Sequence, residues 1–449
     1  MVSGSFISSL NQTVMAPILP AIMVDYGITP AIGQWLTTVF MLVNGLMIPV
    51  TAYLINRFTT RQLFFAAMSF FIAGTTVCAL SSDFTTLIAG RVVQAVGAGN
   101  LLPLVSVNTM LLFPKERRGL ALGITNVVMG VAPAFGPTFS GWIVDTLGWK
   151  YVFYGIAPLA AVVLIIALFT LRNLHVGKRA GLDWISVALS TLGFGGLLFG
   201  FSMAGNIGWD TPHTYIPIVA GVCVICCFVR RQLRSEQPLL KLSLLRNPVF
   251  SCAVSLSMIC RLGQVVGMVI TPIFLQTVAG YSATVSGMTV MPATAAMAAM
   301  NPVSGMLFDK YGPRRICIIG IASVAFGTFL MSLIDVDTPL AYIVFIYTFR
   351  MVGLSLCNMP LNTWGINALP NEWIAHGNAI VQTTTQIVNS IGTAILITIM
   401  MMVAGAYLAG GATETASMVR GVNAAYRFAS ILSFAGLIVA IFRVDRIKR

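Results

Sequence analysis

The chain has 449 residues, 57% of them hydrophobic and only 9% charged, with a formal net charge of +13. Soluble domains carry about 25% charged residues, so a water-soluble fold is excluded. Lipid is the solvent for nearly the whole chain, and there the expected elements are helices, which satisfy their own backbone polar groups.

A membrane-crossing helix needs about 20 consecutive apolar residues. Windows of that size predict fourteen spans, centred near Met15, Leu46, Phe71, Val96, Met129, Leu164, Gly195, Val222, Gly263, Ala295, Ala325, Leu354, Ile391 and Ala435. The first is unusually polar, with Ser8, Ser9, Asn11, Gln12 and Thr13 ahead of Pro17 and Pro20. Polar groups avoid lipid, so Asn11 and Gln12 are expected to line a cavity. The fourth span holds Arg91, with Gln94 one turn on and able to share its network. A buried arginine is costly and needs partners or water. The fifth carries Gly130, Pro133, Gly136, Pro137 and Gly141, a combination that kinks a helix and lets another pack closely. Arg261 and Gln264 lie in the ninth span and Arg350 in the twelfth. The thirteenth has Asn378, Gln382, Gln386 and Asn389, the last three on one helical stripe. Uncharged amides beside methionine suit a forgiving pocket. His376, at the entrance of that span, reads as an interface residue. None of the 13 acidic residues lies well inside a span.

The positive charge does not point to nucleic acid. Twenty of the 26 basic residues follow even-numbered spans, from Arg57 and Arg61 to the terminal Arg443, Arg446, Lys448 and Arg449. The positive-inside rule then puts both termini in the cytoplasm. All eight cysteines sit in apolar stretches, where they read as small packing side chains. Cys223 and Cys226 make a formal Cys-x-x-Cys with no histidine or further cysteine pair nearby, and no Gly-x-x-x-x-Gly-Lys-[Ser/Thr] loop occurs, so no metal, cofactor or enzymatic activity is expected.

A repeat organises the chain. TAYLINRFTTRQ (51–62) after the second span returns as SGMLFDKYGPRR (304–315) after the tenth. Arg91 opens RVVQAVGAGNLLP, and Arg350 opens RMVGLSLCNMP. Paired motifs in the same order imply two related halves with a substrate site between them. The expected division is a six-helix bundle over 1–172, two additional spans and a linker over 173–240, and a second six-helix bundle over 241–449. The segment 230–247, basic and containing Pro238, is the expected inter-bundle linker, partly an interfacial helix.

These segments together resemble the major facilitator superfamily, and within it the 14-span drug:proton antiporter branch of lincomycin-resistance-type multidrug exporters. The likeness rests on LNQTVMAPILP (10–20), QWLTTVFMLVNGLMIP (34–49), RVVQAVGAG (91–99), GVAPAFGPTFSGW (130–142), GMLFDKYGPRR (305–315) and LNTWGINALP (361–370), and it covers essentially the whole chain. It implies an all-α polytopic membrane fold of two six-helix bundles plus two extra central helices. It makes Gly305, Asp309, Lys310, Arg314 and Arg315 a gating latch, with Asp309 meeting Arg314, Arg315 or the positive N-terminus of a neighbouring helix. The first copy departs from the family pattern, having Asn56 for aspartate beside Arg57 and Arg61. The resemblance gives Arg91 and Arg350 coupling roles at the cavity, and makes Gly130, Gly136, Pro137 and Gly141 a pliable contact between the halves. Asn11 stands where many relatives have a proton-carrying aspartate, and an amide does not titrate.

The reading is a monomeric secondary transporter in the cytoplasmic membrane that exports hydrophobic drugs or lipophilic metabolites by proton-linked alternating access, although the usual first-helix acid is Asn11 here. An organic-anion carrier or uncoupled facilitator is the alternative, motivated by basic cavity residues without acids. A non-transporting membrane sensor is the alternative of another class.

Overall fold

The structure, a computed structural model, describes residues 1–28, 30–33, 35–114, 117–173, 183–207, 209, 211–235, 238–281 and 283–444. Lys115, Lys178, Arg179, Arg446, Lys448 and Arg449 lie outside the described residues, as do the 174–182 stretch ahead of the two additional spans and 236–237 of the expected linker. Asn56, Gly130 and Pro137 are described as backbone only.

Among the described residues, sixteen α-helices follow in chain order: α1 (Val2–Thr13), α2 (Met15–Tyr26), α3 (Pro30–Gly33), α4 (Trp35–Arg57), α5 (Thr60–Leu80), α6 (Phe84–Leu112), α7 (Arg118–Leu147), α8 (Lys150–Thr170), α9 (Trp184–Ile207), α10 (Pro212–Arg234), α11 (Pro248–Ile273), α12 (Ala283–Tyr311), α13 (Pro313–Met331), α14 (Leu340–Asn367), α15 (Ile374–Ala409) and α16 (Glu414–Arg443). Every expected span centre falls in one of them. Among the described residues, nine helices are long and apolar enough to cross a membrane alone, and the α1/α2 pair taken as one span makes ten. The outer faces carry large exposed apolar side chains such as Phe169, Phe345, Met402 and Ile431. That is the surface a lipid solvent selects.

The first span is broken at Val14 rather than continuous. Pro17 removes an amide donor and its ring opposes the carbonyl of Thr13, four residues back, so the helix cannot run through unstrained. Thr13 Oγ1 donates instead to the Leu10 carbonyl at 2.9 Å. A single π turn over Phe274–Val278 likewise follows Pro272 at the end of α11.

Helices α1, α2 and α4–α8 make one bundle and α11–α16 the other; one buried apolar core lies in the second bundle, and the core of the first runs on into α11, α14 and α15. The bundles meet along two lines, α7 against α12 and α4 against α15. The additional pair, α9 and α10, packs chiefly on itself, and α9 leans on both α4 and α15. The pair therefore lies across the seam between the bundles. Trp35 and Phe199 stack with centroids 5.6 Å apart on the first bundle's side, and Trp209 donates to Thr398 Oγ1 at 2.6 Å on the second's.

The loops that carry most of the basic residues collect at one end of the molecule, called the basic end below. There α10 runs on to Arg234, and the linker is not an interfacial helix. It is a coil with Leu239 and Leu240 buried, closing in a single 3-10 turn over Leu242–Arg246. Burying those two leucines against the first core stabilises the linker more than lying on a lipid surface would.

Asp183 fastens the additional pair. Its carboxylate accepts from Arg231 Nε and Nη2, both at 3.0 Å, and from the Ser186 amide and hydroxyl at the start of α9. Arg231 holds the Asp183 carboxyl down at about 2, below the ordinary carboxylate value. A carboxyl depressed in the folded state stabilises the fold above its unfolded value near ~4. That contribution disappears as pH falls from there toward 2. Because Arg231 is 41% exposed, Asp183→Asn should cost no more than about 1 kcal/mol at neutral pH. In detergent, melting of wild type and mutant should differ at pH 7 and converge below pH 3.

Candidate substrate-binding site

A cavity of about 310 Å³ opens near the middle of four helices of the second bundle. Ser257, Arg261 and Gln264 come from α11; Thr294, Met297, Ala298 and Asn301 from α12; Leu354, Ser355, Asn358, Met359 and Asn362 from α14; Val381, Gln382 and Thr385 from α15. Amides, hydroxyls and one guanidinium alternate with methionine, leucine and valine, and no carboxylate is among the lining residues. Arg261 Nη1 donates to Gln264 Oε1 at 2.6 Å, a one-turn pair that holds the guanidinium in place. Ser355 Oγ donates to Asn301 Oδ1 at 2.7 Å, and Ser304 Oγ to the Ser355 carbonyl at 2.8 Å, tying α12 to α14 under the cavity floor. The first bundle repeats this device: Thr51, which aligns with Ser304 in the repeat, donates to Asn100 Oδ1 at 2.8 Å and ties α4 to α6.

Of the nine residues expected at the cavity, Arg261, Gln264 and Gln382 line it. Gln386, one turn beyond Gln382, accepts from Asn389 Nδ2 at 3.2 Å and faces Gly45 of α4. It belongs to the α4–α15 seam. Asn11 is fully buried, and its amide finds no hydrogen-bond partner among the described residues, while Gln12 is partly exposed. Neither is part of this lining.

Arg91 and Arg350 are fully buried and sit within their own bundles, away from the cavity lining. Arg91 Nη1 donates to Gln94 Oε1 at 2.7 Å and Nε to the Leu36 carbonyl at 3.3 Å, and its guanidinium lies 4.2 Å from the Phe40 ring centroid. Gln94 Nε2 passes the chain on to Thr75 Oγ1 at 2.7 Å. The charge is thus met by dipoles and an aromatic face, which a low-dielectric interior strengthens. Arg350 Nη1 donates to the Gly263 carbonyl at 2.7 Å, with the Tyr347 ring at 5.1 Å. Space for this guanidinium exists because residue 267 is glycine: a Cβ there would fall on Arg350 Nη2. The two repeat mates therefore use different neighbours, α4 for Arg91 and α11 for Arg350.

At the basic end the bundles close on each other. The N-cap of α7 is Arg117, whose side chain makes no capping bond and has no acceptor to offer. Asp309, at the end of α12 in the other bundle, supplies one: its Oδ2 accepts from the Leu120 amide, third in α7, at 3.1 Å. A carboxylate at that position satisfies an orphan N–H and faces the positive end of the helix dipole. Of the two partners expected for Asp309, this is the neighbouring helix N-terminus. The contact needs Gly305 and Gly119, since a Cβ on either would strike the other helix's backbone. Arg118 Nη1 adds a bond to Asn367 Oδ1 at 3.0 Å and Nη2 one to Asn371 Oδ1 at 3.3 Å, again across the bundles. Arg314 reaches the Ile441 carbonyl at the end of α16 at 3.5 Å, Lys310 lies over the Tyr311 ring, and Arg315 is exposed. In the first copy, Arg57 donates to Tyr53 Oη at 2.9 Å, and Arg61 Nη2 to the Leu168 carbonyl at 2.9 Å.

Among the described residues, the nearest neighbours of Gly136 belong to α1 of the first bundle. A Cβ there would meet Thr13 Oγ1, so this glycine admits α1 where α1 breaks. Gly141 has open space around it. Sequence reasoning missed Arg118, Gly119, Gly123, Asn301 and Asn362. The available signal was the Gly-x-x-x-Gly of GLALG (119–123), a close-packing pattern for membrane helices. Gly123 indeed packs on the Asn301 carbonyl and Pro302.

A model of the Major Facilitator Superfamily matches residues 1–393. The uncharacterized MFS-type transporter YhcA of Bacillus subtilis (strain 168) is 41% identical over 399 residues, 89% of this chain and 75% of that protein. The lincomycin resistance protein LmrB of Listeria monocytogenes serovar 1/2a is 36% identical over 444 residues, 98% of this chain and 94% of that one. Among solved structures, the human organic anion transporter MFSD10 (TETRAN) superposes with a TM-score of 0.65 at 15% identity, covering 98% of this chain and 97% of its own. At that identity the likeness concerns the fold alone.

Two outcomes test this geometry. Asp309→Asn removes the charge from a bond on the order of 2 kcal/mol, so the Leu120 amide should exchange with deuterium at least ~10-fold faster. Gly267→Ala should displace the Arg350 guanidinium at a cost of about 1–3 kcal/mol, seen as a lower melting temperature.

Proposed function

Because this chain belongs to the Major Facilitator Superfamily, we propose that it exports hydrophobic drugs or lipophilic metabolites by alternating access, two six-helix bundles rocking about the mid-helix cavity. The observation that carries the reading is the polar, methionine-bearing cavity deep among apolar helices, combined with a closure made of cross-bundle contacts at one end. The polar part of that closure, one capping carboxylate and a few amide bonds, can break and re-form. Drug export is the direction favoured by the lincomycin resistance relatives. The proposed location is the cytoplasmic membrane of a bacterium, with both termini and the basic end on the cytoplasmic side. The closed side is then the cytoplasmic one. The proposed units are 1–172, 173–240 and 241–449, working as a monomer.

Filling the cavity is the test. Ala298→Trp places an indole among its lining residues and should lower drug transport in proteoliposomes at least ~10-fold while leaving the melting temperature within a few degrees. Binding without any transmembrane movement by the wild type would favour a sensor instead. Asn11→Asp puts a titratable group in the first span. It should add or steepen pH dependence; an unaltered pH profile would remove Asn11 from the transport path.

A further inference from the structure

Resting on the transport reading above, we propose that the cargo is an amphipathic organic anion, held through Arg261 and driven outward by the membrane potential. By sequence, all 13 acidic residues lie in connections or in the terminal turns of helices. Three arginines lie deep in the spans, so their charge is not neutralised by any carboxylate of this chain at the same depth. Arg91 and Arg350 are sealed inside their bundles and met by carbonyls, an amide and aromatic faces. Arg261 differs. It borders the cavity, is only partly buried, and has one hydrogen bond among the described residues, to Gln264. Its remaining donors are available to a ligand.

A guanidinium at membrane depth is expensive until an anion or strong acceptor pairs with it. A carboxylate or sulfonate fits its planar fork bidentately. Gln382 on the neighbouring helix can donate an amide N–H to the anion, and Asn362, whose Oδ1 is buried without a partner among the described residues, can accept from a hydroxyl or N–H on the cargo body. Met297, Met359 and Leu354 suit an aromatic or aliphatic body. A cavity of about 310 Å³ accepts a ligand of roughly two fused rings.

The charge of this complex determines the driving force. A monoanion and Arg261 together are neutral, and the unloaded site carries one positive charge. Each cycle then moves one net negative charge out of the cell. A potential of about 100 mV, inside negative, multiplies the outward gradient of a monoanion about fifty-fold, equivalent to ~2.3 kcal/mol. Among the described residues, no other titratable side chain lines the cavity. On the packed helices, Cys260 of α11, Tyr347, Arg350 and Cys357 of α14, His376 of α15 and Tyr426 of α16 are buried outside the lining, and Asp309 and Lys310 stand at the exposed end of α12. Proton exchange is therefore unnecessary for export.

The experiment uses the purified full chain in proteoliposomes, with a naphthalenesulfonate as probe and a naphthyltrimethylammonium of the same ring system as control. Potassium diffusion potentials and pH jumps are imposed separately. The sulfonate should move toward the positive side, with a rate that rises with potential and ignores the pH jump, and the ammonium should not move. Arg261→Gln should slow the sulfonate at least tenfold, with an unchanged melting curve as the folding control, and Arg261→Lys should restore part of the rate. Transport of the ammonium but not the sulfonate would overturn the anion inference while leaving the transport reading intact. So would sulfonate transport that follows pH alone or survives Arg261→Gln. Failure of both probes, together with the absence of any drug transport by the wild type in proteoliposomes, would overturn both.

Discussion

Positive charge in a medium that cannot solvate it is the constraint on which the rest of this structure depends. Arg91, Arg261 and Arg350 stand at membrane depth, and no acidic side chain joins them there. The protein meets the first two-thirds of that problem with neutral groups: the Leu36 and Gly263 carbonyls, the Gln94 amide, and the faces of Phe40 and Tyr347. Each of those solutions fixes a helix. Arg91 draws α4 to α6 and, through Gln94 and Thr75, α5 as well. Arg350 draws α11 to α14, and requires Gly267 to leave it room. The bundles are thus rigid bodies held by buried cations. The third arginine is left facing the cavity.

Rocking requires that the contacts at the basic end break and re-form, and the polar ones there are of a kind that can. Asp309 caps a helix that lacks its own cap, and Arg118 joins two asparagines across the gap. A cap lost on opening can be replaced by water at that exposed position, so neither state pays the full penalty of an unmade buried bond. Helices α9 and α10 lie over the other seam, touching α4 and α15 through aromatic and indole contacts and clipped by Asp183 to Arg231. They add a lipid-facing layer and leave the α7–α12 closure untouched.

Much of this architecture was legible in the sequence. Hydropathy located the helices, and the 51–62 and 304–315 copies announced two halves, because a repeated motif must serve equivalent positions. Arg261 could be placed at the cavity because its span offers it no counter-charge. The partners of Arg91 and Arg350 were not legible. They depend on which helix lies beside each arginine, and the repeat predicts equivalent positions without equivalent neighbours. Gln386 missed the cavity that Gln382 reached, since one turn of a helix is enough to pass from a chamber wall to a seam. Arg118 was hidden among ordinary positive-inside charges, and only its position beside GLALG marked it as a cross-bundle residue. The break at Val14 follows from Pro17, a local rule that the apolar window averaged away.

The central claim is that the two bundles separate and rejoin at the basic end around a loaded cavity. Spin labels at positions 117 and 372, both exposed and on opposite bundles, measure this directly in the reconstituted protein. The account predicts two distance populations, the shorter one matching the Arg118–Asn371 contact, with a ratio that changes when a naphthalenesulfonate is added. A single distance, indifferent to the ligand, would contradict it.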